Sequence, residues 1–351
     1  MDRCWIRAAV AGLLLVVTAG SVDAARYRYG RGYARGGEQA GIVISVEGGL
    51  VNIRNADLVY ATSESLEVFS GGVNEVVALI PGAEDDIAGR MGVGYQWANG
   101  NLLTASFWAY NTSTSAAAEG PLSGAFHYSI GPPIALGGGD FVGDSGTPGF
   151  FSLMTETDVA TADIAFGRSH ELGDEFRMAW STGLRYARFE ETTSGFYDDG
   201  FFAASTFGDN RYKADKTIDG DMIGARIAAR GSYFFSPSFS ISAGIGFAFL
   251  DGEIKAFSRL TPSGLINSAT QPSSLSVIDD DGRSGRTADF DVRVTWHPST
   301  DRLRVWLGWE QQDWSGISKD GLRDFPGTAT PLEARNSVVF SGYQLGAAYR
   351  F

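Results

Sequence analysis

From Ile87 the odd positions carry Ile87, Gly89, Met91, Val93, Tyr95 and Trp97, and the even ones Ala88, Arg90, Gly92, Gly94 and Gln96. One face is apolar and the other is small or polar, a period of two that belongs to a strand and not to a helix. The same alternation returns at 160–167, 176–186, 223–235, 239–249, 289–296 and 302–310. With 41–53, 102–110 and 337–351 it makes ten strands, and a chain of this kind folds as all-β.

A soluble sandwich also alternates, so the connections decide. Short ones (98–101, 171–174, 236–238, 298–301) take turns with long ones (54–85, 113–156, 193–216, 252–285, 315–334). Short periplasmic turns and long extracellular loops are the asymmetry of a transmembrane barrel. Asn99-Gly100 is a two-residue hairpin signal within one of the short connections. Trp97, Phe176, Phe235, Phe239, Trp296, Tyr349 and Phe351 collect beside the short turns, as a headgroup girdle does. In hydrocarbon an unpaired amide costs several kcal/mol, so the sheet must close on itself. The expectation is a transmembrane antiparallel up-and-down β-barrel of about ten strands, with twelve as the alternative, and with both termini on the periplasmic side.

The start of the chain sets the compartment. Arg3 and Arg7 precede an apolar run around Leu13 to Val17, and Val22-Asp23-Ala24 has the small residues of a signal-peptidase site. Cleavage after Ala24 then divides the chain into a signal peptide (1–24), a flexible Arg/Gly-rich periplasmic segment (25–40) and a barrel (41–351), exported to a Gram-negative outer membrane. Cys4, the one cysteine, leaves with the signal, so no disulfide holds the mature chain. No later stretch is long and apolar enough for a transmembrane helix. The net charge of −13 argues against nucleic acid as a partner, which leaves the arginine–glycine tract 26–37 as a disordered tail. Lipid, lipopolysaccharide, small solutes and the barrel-assembly machinery are the expected partners, with a monomer favoured.

At the other end, Gln344, Gly346, Tyr349 and Phe351 make the pattern polar–x–Gly–x–x–aromatic–x–aromatic at the last residue, which resembles an outer-membrane assembly signal. The stretches 102–114 (LLTASFWAYNTST), 181–191 (STGLRYARFEE), 219–235 and 342–351 resemble the family of pore-forming outer-membrane proteins typified by the Legionella major outer membrane protein. Ala225 departs from it, since such proteins often carry proline before the arginine. The resemblance implies a barrel and pore formation, and it transfers no catalytic residue.

No catalytic constellation emerges, and no cofactor or metal site is expected. Gly143-Asp144-Ser145-Gly146 spells a protease nucleophile motif, but His127 has no recognisable context, while His170 and His297 fall at periplasmic turns. Asp279-Asp280-Asp281-Gly282 lacks the later Glu of a calcium loop and reads as a solvated acidic loop. Parity sends Arg90, Arg177, Arg185, Arg226, Arg230, Arg293, Arg302, Arg304 and Arg350 into the lumen, with Glu47, Asp163, Asp289, Asp291 and Glu310. Nine bases against five acids are either a salt-bridged filling of a narrow barrel or an anion-selecting constriction. The expected function is porin-like passage of small solutes or ions, and the alternative is a non-conducting structural or adhesive barrel acting through its loops.

Overall fold

A computed structural model describes residues 40–55, 61–67, 73–79, 85–119, 126–131, 150–198, 211–262, 275–298, 302–316 and 337–351. The signal peptide, the arginine–glycine tract and Gly143 to Gly146 lie outside the described residues. The strands are β1 (Gly41–Asn55), β2 (Ala61–Glu67), β3 (Val73–Leu79), β4 (Asp85–Gln96), β5 (Asn101–Glu119), β6 (Phe126–Gly131) and β7 (Phe150–Glu171). They continue with β8 (Phe176–Asp198), β9 (Arg211–Ser236), β10 (Phe239–Pro262), β11 (Leu275–Trp296), β12 (Leu303–Ser315) and β13 (Ser337–Arg350).

Ten of them close a barrel in the order β1-β13-β12-β11-β10-β9-β8-β7-β5-β4, and every neighbour pair is antiparallel. β2, β3 and β6 form a separate three-stranded sheet, so two of the long connections contain strands of their own. Both chain ends of the barrel meet at one rim, where the amide of Phe351 donates to the carbonyl of Ile42 at 2.9 Å. That rim also carries the tight turns and is called the turn end below.

The apolar face of the alternation points outward. On β10, Phe239, Ile241, Ile245, Phe247 and Phe249 are 40–69% exposed, and Ile42, Ile44, Met91, Val93, Leu184, Ile223, Ile227 and Leu307 continue the belt around the wall. So much apolar surface is incompatible with water and matches the roughly 9–11 residues per strand that hydrocarbon requires. The chain is a transmembrane β-barrel. Trp97, Phe176, Phe235, Phe239, Trp296 and Phe351 are all exposed near the turn end, with Phe235 stacked on Phe239 at 6.1 Å.

Three expectations are corrected. The flanks of the loops expected at 113–156, 193–216 and 252–285 are wall: β7, β8, β9, β10 and β11 run 22, 23, 26, 24 and 22 residues. The apolar face of the alternation ends within each of these strands, whereas hydrogen-bonded pairing continues into polar sequence. Asp279 to Gly282 are accordingly not a loop but strand, paired with Ala256 to Glu253. The Asn99-Gly100 connection is four residues long: the Trp97 amide donates to the Asn101 carbonyl at 2.9 Å, and Gly100 takes a φ of +84°. The Asn99 side chain accepts from the Asn101 amide, which holds this longer turn closed.

Candidate functional site in the barrel lumen

The inward residues at mid-height form one ion-pair layer. Arg185 on β8 is 3% exposed; its Nε and Nη2 donate to Asp163 on β7 at 2.8 and 2.9 Å. Its Nη1 and Nη2 donate to Asp289 on β11 at 3.0 and 2.8 Å, and Nη1 also reaches Thr287 at 2.8 Å. Arg226 stands 3.2 Å from Asp289 and 3.5 Å from Asp163. Arg90 bridges Glu47 on β1 and Glu310 on β12, each at 2.8 Å. Arg230 meets Asp291 at 2.7 Å, and Arg293 meets Asp291 at 3.0 Å and Glu47 at 3.2 Å.

Glycines make these bridges possible. Gly244 lies between Arg230 and Asp291 in the pairing, so the guanidinium crosses an empty position; a Cβ there would stand 2.6 Å from Asp291 Oδ1. Gly346 likewise lies between Glu47 and Trp306, and a Cβ on it would come within 2.4 Å of the indole ring. Across it the Trp306 Nε1 donates to Glu47 Oε2 at 2.9 Å, and Arg293 stacks on the same indole at 5.5 Å. Gly346, assigned to an assembly signal from sequence, is therefore also the floor on which this tryptophan lies. Gln344 points inward and is 6% exposed, whereas Tyr349 and Phe351 pack edge to face at 4.8 Å at the turn end.

Away from the turn end an apolar layer follows directly. Trp108, Tyr110, Phe189, Met222, Leu250, Trp314 and Phe340 are each at most 5% exposed and form one cluster. Phe340 sits at its centre, 5.9 Å from Trp108, 5.5 Å from Tyr110 and 5.9 Å from Trp314. These residues were not expected as part of the site. The signal lay in the sequence: Arg185, Ala187 and Phe189 share a parity, as do Glu310, Gln312 and Trp314.

No protein-family model matches this sequence, and no curated protein is significantly similar to it. Among solved structures, the Escherichia coli outer membrane protease OmpT is 10% identical with a TM-score of 0.43, over 89% of this chain and 97% of that one. The translocator domain of the Neisseria meningitidis autotransporter NalP is 10% identical with a TM-score of 0.35, over 98% and 96%. The Yersinia pestis attachment invasion locus protein Ail is 11% identical with a TM-score of 0.23, over 90% and 100%. The chemistry of the lumen rests on its own residues.

The nine bases and five acids that sequence parity sends inward separate by height. Arg90, Arg185, Arg226, Arg230 and Arg293 answer the five acids within the layer, a balance of five to five. Arg177, Arg302, Arg304 and Arg350 instead line the wide half of the bore toward the turn end, a cavity of about 540 Å³. Arg177 lies over Phe234 at 5.6 Å and reaches Glu171 at 3.1 Å at the rim. His297 contacts the Phe234 ring at 5.4 Å, and its Nε2 is 2.9 Å from the Ser240 hydroxyl. Burial pushes the His297 pKa down to about 4, with Arg304 and Arg177 adding to the effect. The other histidines are placed apart: His127 falls on β6 of the separate sheet, and His170 near the end of β7.

Proposed function

We propose that this chain is a Gram-negative outer-membrane barrel that holds no open channel at rest and serves as a structural or adhesive surface protein. One observation carries the reading: a charge-balanced ion-pair layer and a packed aromatic layer lie one above the other across a ten-stranded bore. An ion crossing it would have to part Arg185 from two carboxylates and then displace packed rings. Narrow barrels are filled by side chains, and a filled bore stiffens the wall instead of conducting. Strands of 22–26 residues, at roughly 3.3 Å each and tilted about 45°, carry the wall some 50–60 Å, against a hydrocarbon core of about 30 Å. The surplus height fits a protein that acts on the outer side.

The reading includes export by a cleaved signal peptide, contact with lipid and lipopolysaccharide, and recognition of Tyr349 and Phe351 by the barrel-assembly machinery. Replacing both aromatics with serine should then block insertion without blocking export. Normal outer-membrane levels of that variant would count against the signal. No enzymatic step is assigned to the chain.

Planar-bilayer recording on refolded full-length protein tests the main point. A flat baseline is expected, and long-lived conductance steps in the wild type would overturn it. The second reading is porin-like passage, as the resemblance to the Legionella family implies. The 540 Å³ cavity favours it, because half the conduit is already open. Under that reading Trp108→Ala with Phe340→Ala opens the other half and yields steps that the wild type shows only rarely.

A further inference from the structure

The wall of the barrel is of unequal height. β4 accompanies β5 only as far as the pair Ala88 and Tyr110. Beyond it β5 runs on from Asn111 to Glu119, paired on one side with β7 up to Phe150. On its other side no strand lies against it among the described residues. The turn-end hairpin fixes which groups are left over. There the Trp97 amide donates to the Asn101 carbonyl, and the Gly100 carbonyl accepts from Ser169 of β7. Odd residues of β5 therefore bond toward β4 and even ones toward β7. Above Tyr110, Asn111, Ser113, Ser115, Ala117 and Glu119 turn their N–H and C=O groups to the open side.

This edge stands past the apolar belt, whose last large outward side chain on β5 is Phe107. Open edges are ordinarily blunted by lysine, proline or a bulge. The stretch 111–119 (NTSTSAAAE) has neither lysine nor proline, and its ladder with β7 shows no break in register. β11 differs: Leu275 to Gly285 pair with β10 alone, but Asp279, Asp280 and Asp281 guard that edge with like charges. On β5 the inward Thr112 is 2% exposed, and its hydroxyl has no hydrogen-bond partner among the described residues.

We propose that the open edge of β5 is a docking site for an extended segment of another protein, which adds as a strand beside Asn111 to Glu119. Strand addition takes its affinity from the backbone ladder and its selectivity from alternate side chains. The chain's own spare strands do not take the edge, since β2, β3 and β6 pair with one another. A second copy in the same membrane does not fit either, because strands tilted about 45° would cross at the contact instead of lying alongside. On the outward face Glu156 and Asp158 of β7 stand beside Ser113 and Asn111, the latter acid also accepting from the Asn111 amide at 2.5 Å. They favour lysine or arginine at the outward positions of the guest. Thr112 and Thr114 favour a hydroxyl or β-branched residue at the inward ones. The proposal deepens the adhesive reading above and rests on it.

The probe is a fluorescent peptide as long as the edge, alternating lysine with threonine or valine. Its anisotropy is followed on full-length protein refolded in non-ionic detergent, at physiological ionic strength so that distant charges are screened. Saturable binding is expected, with a carbon-13 carbonyl label on the peptide moving to the strand position of the amide I band. Ser113→Pro with Ser115→Pro removes two edge donors and leaves the β7 ladder whole, so the barrel should keep its band shift in unboiled samples. Affinity should fall about tenfold or more. The same peptide N-methylated along its backbone keeps charge and side chains but cannot donate, and it should not bind. Equal binding of the two peptides overturns the proposal, as does a folded proline variant that binds like the wild type. No binding at all also overturns it. The edge then belongs to a second copy if the protein runs as a dimer that the proline variant abolishes, and to the chain's own three-stranded sheet if it runs as a monomer. Bilayer recording tests the closed bore separately: conductance steps overturn that reading whatever the peptide does, and a flat baseline does not rescue an edge that binds nothing.

Discussion

Arg185→Met isolates the keystone of the luminal layer. The wild-type guanidinium is 3% exposed and donates five hydrogen bonds, to Asp163, Asp289 and Thr287. Methionine fills much of the same volume, so the change removes charge and hydrogen bonds without opening a large void. Stripping one partner from a buried pair costs about 3–5 kcal/mol, chiefly because the remaining charge stays buried. Here two carboxylates are left, with side chains only 11% and 16% exposed, and Arg226 still stands 3.5 and 3.2 Å from them. Its presence and the adjoining cavity place the loss at the lower end, about 3 kcal/mol. Urea unfolding from lipid vesicles, followed by tryptophan fluorescence and by the band shift of unboiled samples, reads that value. Asp163→Asn added to Arg185→Met rebalances the layer at four and four and leaves Arg226 with Asp289. The double variant should recover about 1 kcal/mol or more of the loss expected from adding the single ones. A single-variant loss under about 1 kcal/mol, or strict additivity, would refute the idea of a neutral, mutually dependent layer.

Three further outcomes follow from the same geometry. Ile245→Arg places a charge on the lipid-facing belt, where the native side chain is 47% exposed, and should destabilise the refolded barrel by about 2–4 kcal/mol; a near-silent result would put Ile245 inside. Gly346→Val must push the Trp306 indole off Glu47, at a cost of about 2 kcal/mol in urea unfolding and with a changed tryptophan emission; wild-type stability would mean that the indole is not seated there. His297 has a folded-state pKa of about 4, below its unfolded value of roughly 6.5. Its stabilising contribution is therefore complete above the unfolded value and fades as the pH falls toward 4. His297→Gln should unfold with a shallower loss of stability across that window, and parallel curves for the two proteins would show the histidine to be uninvolved.

The barrel was legible because its signal is a parity, and parity survives in sequence wherever lipid demands an apolar face. Ile241, Ile245 and Phe247 announce that face, and Asp163, Arg185 and Asp289 announce the opposite one. Two things escaped. Where β8 and β9 rise past the lipid, Arg188, Glu190, Asp219 and Asp221 occupy the outer face, so the apolar marker vanishes although the ladder continues. Those stretches read as loops. The aromatic layer escaped for the converse reason: inward Phe189, Trp314 and Phe340 contradict the rule of a polar interior, and nothing local says that the bore is packed with rings at that height. Glycines were ambiguous in a third way. Gly246 reads as a small inward residue indifferent to change, yet a Cβ there would lie 3.1 Å from Arg226 Nη2 and 3.2 Å from Asp289 Oδ2. Only the cross-strand register shows what an absent side chain makes room for.

Barrel strands neighbour one another in chain order everywhere except at a single joint, where Val43 of β1 pairs with Arg350 of β13. Bringing ends some 300 residues apart into register carries a loop-closure cost of about 5 kcal/mol, which none of the hairpins faces. The bonds that cross this joint inside the bore reach well beyond the two strands that meet there. Arg90 of β4 grips Glu310 of β12, Trp306 of β12 and Arg293 of β11 both grip Glu47 of β1, and each link skips at least one strand. Together they act as a buckle across the last seam to form. A sheet still open at that seam has Arg90 and Glu47 on one flap and Glu310, Trp306 and Arg293 on the other. The buckle can fasten only after the register is correct, so it rewards proper closure and gives nothing to a slipped one.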